Sequence, residues 1–188
     1  MDTTFELVIL VAIGFLAGIV NTLAGGGSLF TLPILIFLGL PPQVANGTNR
    51  VVIVAQSLSG SIGYSSKEIY SYPFNIYLGI SSSFGAYIGA KMALNIDGEI
   101  FNKTLAVIII IVGGLIFIKK KKLTNFIKER TSGKYLWFSV LVFFVFGIYG
   151  GFINAGIGIL IILFLNRLNQ MTLVKSNAIK VSVVFIYS

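Results

Sequence analysis

Gly14-Phe15-Leu16-Ala17-Gly18-Ile19-Val20-Asn21, followed by Ala24-Gly25-Gly26-Gly27-Ser28-Leu29, is an apolar helix that runs into a glycine break. The same design returns far along the chain as Gly147-Ile148-Tyr149-Gly150-Gly151-Phe152-Ile153-Asn154, then Ala155-Gly156-Ile157-Gly158-Ile159-Leu160. Each copy has two glycines four residues apart, an asparagine, a glycine-broken turn and a second short apolar run. An interrupted hydrophobic element in corresponding places of two halves is the sequence mark of a transporter binding site built from broken helices.

The composition supports a membrane setting. Of 188 residues, 56% are hydrophobic and 11% charged, against about 25% charged in soluble domains. The mean hydropathy is +0.94. Working outward from the two breaks gives eight apolar segments, at about 5–23, 29–40, 44–63, 73–94, 101–118, 135–154, 157–166 and 173–188. The expected fold is all-α, a polytopic transmembrane helical bundle with two inverted repeats that contain short broken helices. The first repeat is 1–118, a basic loop 119–134 follows, and the second repeat is 135–188. The second and seventh segments fall well short of the roughly 20 residues that a full span needs. They are broken spans or re-entrant hairpins. Pro33 removes a backbone donor inside the second and favours a kink there. The first apolar run lacks a basic leader and reads as a retained span.

Charge sets the orientation. Seven of the fourteen basic residues lie between Lys119 and Lys134: Lys119, Lys120, Lys121, Lys122, Lys128, Arg130 and Lys134. A basic loop between apolar runs is cytoplasmic by the positive-inside rule, so the net charge of +8 is a topology signal and nucleic acid is not an expected partner. Counting spans places the Lys67–Tyr72 loop, Arg167 and Lys175 inside, with the Asn95–Lys103 loop and the N-terminus outside. Five spans then separate the two repeat starts, which makes the repeats inverted. If the second segment re-enters, they are parallel. The second copy stops inside an apolar run at Tyr187-Ser188, and a complete duplication needs roughly sixty more residues at these helix lengths.

Several chemistries lack their residues. The chain has no cysteine and no histidine, so no metal or cofactor is expected and the common general base is missing. All six acids, Asp2, Glu6, Glu68, Asp97, Glu99 and Glu129, lie at a terminus, a loop or a membrane edge. No phosphate-binding loop appears. An enzyme is not expected.

What remains is an inventory of donors. Asn21 and Asn154 place an amide just before each break, where it finds a partner helix or a wet cavity. Gly25, Gly26 and Gly27 with Ser28, and Gly156 and Gly158 in the second copy, expose backbone N–H groups at the start of the next helix, where partial positive charge attracts anions. Ser28 taken alone reads as an N-cap. A further element, Ala45-Asn46-Gly47-Thr48-Asn49-Arg50-Val51, aligns with Lys175-Ser176-Asn177-Ala178-Ile179-Lys180-Val181 and sets Arg50 against Lys180. A cation within the bilayer costs about 2.5–3.5 kcal/mol on insertion scales. Two at equivalent places are either snorkelling anchors or the walls of an anion site formed by Thr48, Asn49, Arg50 and Lys180. Gly14 with Gly18, Gly147 with Gly151, and Ser81 with Gly85 and Gly89 are small-residue ladders for close helix packing.

At these residues the chain resembles the TauE/SafE sulfite exporter family, also called the toluene-sulfonate uptake permease family. The likeness rests on Ala17 to Asn21, Ala24 to Leu29, Pro33, Gly39, Ala45 and Thr48-Asn49-Arg50, and in the second half on Gly150-Gly151-Phe152, Gly156-Ile157-Gly158, Lys175-Ser176 and Lys180. It spans nearly the whole chain, which resembles a member lacking its last few helices. Ile159 and Phe164 depart from the pattern where the first copy has Ser28 and Pro33. The resemblance implies secondary or facilitated transport, with export the expected direction, of sulfite or small organosulfur anions across a bacterial inner membrane, and leaves room for a homo-oligomer. A channel-like anion pore and a non-transporting membrane subunit that needs a partner are the alternatives.

Overall fold

The computed structural model describes residues 3–69, 71–116 and 129–188. These residues form eight helices and no strand: α1 Thr3–Ala24, α2 Ser28–Phe37, α3 Pro42–Ser65, α4 Phe74–Asn95, α5 Gly98–Ile116, α6 Lys134–Phe152, α7 Ile157–Arg167 and α8 Leu173–Tyr187. Each matches one of the eight apolar segments. At 1.5 Å per residue the helices of 19 to 24 residues are about 29–36 Å long, enough for a hydrocarbon core of about 30 Å. The 10-residue α2 and 11-residue α7 reach about half that depth. Pro33 lies inside α2, which runs on past it to Phe37. Lys119, Lys120, Lys121, Lys122 and Lys128 of the basic loop lie outside the described residues.

The bundle is turned inside out relative to a soluble domain. Phe15, Phe37, Leu94, Ile110 and Trp137 are exposed, while Asn46, Asn49, Ser82, Asn154, Asn169, Ser176, Asn177 and Lys180 are buried. Lipid solvates the first set. The second set must find partners inside, because hydrocarbon offers none. α5 and α6 are also apolar enough along their length to qualify as spans by composition alone.

Loop contacts fix which ends lie together. The Gln43 amide donates to the Ile96 carbonyl at 2.9 Å, so the α2–α3 connection sits at the C-terminal end of α4. At the other end of α4, Ser71 and Phe74 share a cavity with Glu129, Leu136 and Lys175. There Lys175 pairs with Glu129 at 2.6 Å, and the Asn169 amide donates to the Arg130 carbonyl at 2.7 Å. The α7–α8 connection therefore lies at the opposite end from the α2–α3 connection. α6 and α7 form a hairpin that starts and finishes at that end.

The closest helix pair is α4 with α6. A Cβ on Gly85 would fall on the Phe144 carbonyl, one on Gly89 on Ile148 O, one on Gly147 on Ser82 O and one on Gly151 on Ala86 O. Only glycine permits such backbone-to-backbone contact. Ser81 adds a hydrogen bond to Val140 O at 2.7 Å, and Ser82 one to Phe143 O at 3.1 Å. Around this seam lies a core of Leu78, Phe143, Ile161, Leu165, Ile179 and Val183. A second core of Leu29, Leu32, Phe101, Ile153 and Ala155 fills the space between α2, α5 and the α6–α7 break. Phe164 packs edge-on against Phe143 and Phe146, which gives this departure from the first repeat's proline a packing role.

Candidate functional site

The two glycine breaks meet. Gly25, at φ +78°, and Gly158 lie so close that a Cβ on either would strike the other's backbone. Gly156 has φ +71° and ends the non-helical 153–156 break in a left-handed conformation that glycine adopts without steric penalty. Gly26 is held against Ile159, where a Cβ would come within 3.0 Å of the Ile159 side chain. The aliphatic residue that replaces the first repeat's serine thus packs on the opposite break.

Ser28 has a different role from an N-cap. α2 has Gly27 at its cap position and no side-chain cap. The Ser28 hydroxyl instead donates to Asn154 O at 2.7 Å and accepts the Gly156 N–H at 3.1 Å. Both partners are buried, and leaving either unpaired costs more than an uncapped exposed turn.

The cations cross between the halves. The Lys180 ammonium, on α8, donates to Asn21 O and Thr22 O at 2.9 and 2.8 Å. These are carbonyls of the last turn of α1, where partial negative charge collects; Asn21 O also accepts the Gly25 N–H at 2.9 Å. Asn177, three residues before Lys180, adds a bond from its amide to Thr22 O at 2.9 Å. The mirror arrangement sits at the end of α6. There Arg50, on α3, donates through Nη2 to Gly150 O at 2.9 Å and to Gly151 O, and Asn46 donates to Phe152 O at 2.9 Å. Each broken helix is closed by a cation and an amide from the third helix of the other half. Lys180 is 3% exposed, so it is no headgroup anchor.

Beside the breaks is a cavity of about 20 Å³, lined among others by Asn21, Gln56, Ser57, Asn154, Gly158 and Lys180. That is room for one water-sized occupant. Asn154 is 1% exposed. Its Oδ1 accepts from the Tyr187 hydroxyl at 3.0 Å, while its Nδ2 is buried without a partner. Asn21 donates from Nδ2 to Gln56 Oε1 at 3.0 Å. Ile157 and Gly158, at the start of α7, also line the cavity, and their N–H groups are among those a helix leaves without an intrahelical acceptor.

Of the residues singled out from sequence, the structure brings Asn21, Gly25, Asn154, Gly158 and Lys180 to this cavity. Gly26, Gly27, Ser28 and Gly156 form the turns around it. Arg50 is one helix end away. Asn49 is buried but turned aside, its Oδ1 accepting from the Thr31 hydroxyl at 2.7 Å. Thr48 is exposed and stands apart. Sequence reasoning passed over Gln56, Ser57 and Tyr187. Gln56 and Ser57 carried a faint signal, as polar residues in the apolar run 51–58. Asn46 and Asn177 stood inside the repeated element and still escaped assignment.

The chain spans about 60% of the length of the curated relatives it matches. A "Probable membrane transporter protein" of Haemophilus influenzae is 33% identical over 159 residues, covering 84% of this chain and 62% of the relative. The "Probable membrane transporter protein YfcA" of Escherichia coli K12 is 28% identical over 160 residues, covering 84% and 58%. A "Sulfite exporter TauE/SafE family protein 3" of Arabidopsis thaliana is 30% identical over 117 residues, covering 62% of this chain and 24% of the relative. No solved structure matches. The family model described as "Sulfite exporter TauE/SafE" matches residues 10–188, and with the helical bundle and its paired breaks the chain belongs to that family of membrane transporters.

Proposed function

We propose that this chain forms the membrane-embedded core of a transporter for small sulfur oxyanions, sulfite or organosulfonates, and that it exports them across a bacterial inner membrane. One observation carries the reading: Asn154, whose buried Nδ2 has no partner, lines a cavity together with Lys180 and the first residues of α7. Cation, amide and backbone donors are what a desolvated oxyanion needs. The family's description names sulfite, and this donor set suits it. The cavity in this conformation is too small for such an anion, which favours alternating opening over a standing pore.

Residues 1–118 and 135–188 act as two repeats of inverted topology, with the 119–134 loop cytoplasmic and the N-terminus outside. In support, the equivalent α2–α3 and α7–α8 connections sit at opposite ends of α4. An inside-negative potential assists the exit of one negative charge by about 2.3 kcal/mol per 100 mV, so export needs no proton relay. The test is sulfite efflux from proteoliposomes with the potential set by a potassium gradient. Efflux should accelerate as the interior becomes negative, and efflux indifferent to the potential sinks electrogenic export. A second reading is that the chain transports only with a partner segment. It is favoured by α1, whose small-residue pair includes Gly14 with open space around it.

A further inference from the structure

The end of α1 turns two carbonyl oxygens toward one cation. Asn21 O and Thr22 O converge on the Lys180 ammonium at 2.9 and 2.8 Å. Gln56, whose Oε1 accepts from Asn21 Nδ2, and the buried Ser57 line the adjoining cavity. No carboxylate takes part. Carbonyl oxygens without a formal negative charge are hard, weak-field donors. Such a set suits a monovalent cation, whereas calcium and magnesium recruit carboxylates. The position itself asks for positive charge. Carbonyls at a helix C-terminus carry about half a negative charge, and a broken helix ending inside the membrane has no water to satisfy them. A neutral amide could have served alone, as Asn177 partly does at Thr22 O. The chain nevertheless places a cation there despite the insertion cost. It does the same at α6 with Arg50. Ends of half-helices of this kind are where transporters of broken-helix design hold their coupling ions.

We infer that Lys180 fills a monovalent-cation site with a tethered charge, and that without it the Asn21 and Thr22 carbonyls bind a free cation such as methylammonium, sodium or potassium. The two crossed cations differ in one respect. Lys180 lines the cavity, so a small ion released into that space reaches its site. Arg50 is not among the lining residues, and its guanidinium occupies a volume that a single small ion does not fill. Loss of Lys180 therefore creates a titratable ion site, and loss of Arg50 does not. The inference concerns cation binding and stands apart from which anion is carried.

The experiment uses the purified full chain in detergent: wild type, Lys180→Ala, Lys180→Met and Arg50→Ala. Unfolding midpoints are measured in choline chloride and in methylammonium, sodium and potassium chloride at one ionic strength. The wild type should be indifferent to the exchange. Lys180→Ala should unfold earlier in choline and recover about 5 °C in a small cation, rising with concentration and saturating as linkage requires. Lys180→Met keeps the site filled with an uncharged chain and should not recover, nor should Arg50→Ala. If Lys180→Ala yields no folded protein in choline, it is expressed and purified with methylammonium, and recovered folded yield counts as rescue. Lys180→Ala that responds to no small cation, by midpoint or by yield, overturns the inference. So does a response in Lys180→Met as large as that in Lys180→Ala. None of these readings involves flux, so they fail or succeed independently of the transport proposal.

Discussion

α1 and α6 begin from nearly the same sequence and end in different surroundings. On α6, Gly147 and Gly151 lie against the α4 backbone, so close that any side chain would collide. On α1, Gly14 faces open space and Gly18 meets only the Gln56 side chain. A ladder of small residues therefore permits close approach without dictating it. The partner decides: α6 meets the α4 backbone, and α1 meets a side chain of α3. The breaks that follow are alike in one respect and unlike in another. Both C-termini receive a cation and an amide from the opposite half, but one cation borders the cavity and the other does not.

The largest expected effect tests the contact that unites the halves. Gly158→Leu puts a side chain into the Gly25 backbone, and folded yield should fall below detection in a fluorescence-detected size-exclusion assay. Next comes the ladder comparison. Gly147→Leu should cost about 3–5 kcal/mol by thermal or chemical unfolding, as overpacking against backbone does, while Gly14→Leu should stay within about 0.5 kcal/mol. Equal losses would mean that α1 is as tightly held as α6. Third, Asn154→Ala removes the unpartnered cavity donor and should weaken sulfite binding about tenfold in calorimetry. Thr48→Ala, on the exposed face, should leave that affinity unchanged. The last comparison concerns the brace. Ser28→Ala should cost about 1–3 kcal/mol by unpairing the Gly156 N–H and Asn154 O, visible as a lower midpoint with anion affinity within a few-fold of wild type.

The helices were legible because lipid imposes a simple rule: apolar runs of sufficient length, punctuated by glycine and charge. The expected segment 73–94 became Phe74–Asn95, and 157–166 became Ile157–Arg167. The breaks were legible because glycine runs are uncommon inside such segments and these came as a pair. The partners of the polar groups were not legible. Lys180 and Asn21 are joined across 159 positions, and nothing local tells a cation whether to face a carbonyl, an anion or a headgroup. Ser28 shows the same gap. Its position argued for a cap, and its burial beside a second break gave it two better partners. Thr48 and Asn49 adjoin Arg50 in sequence, but a helix turns about 100° per residue, so neighbours along the chain point to different places.

The Ser28 hydroxyl has no twin. It clasps the 154–156 turn from the far side of the molecule, while its counterpart, Ile159, offers only grease to the 25–27 turn. The hydroxyl therefore ties the two turns to each other, whereas the Ile159 contact can slide. Under the transport proposal, parting the turns must first break the Ser28 bonds, and Ser28→Ala should widen the distance distribution between spin labels at 26 and 155.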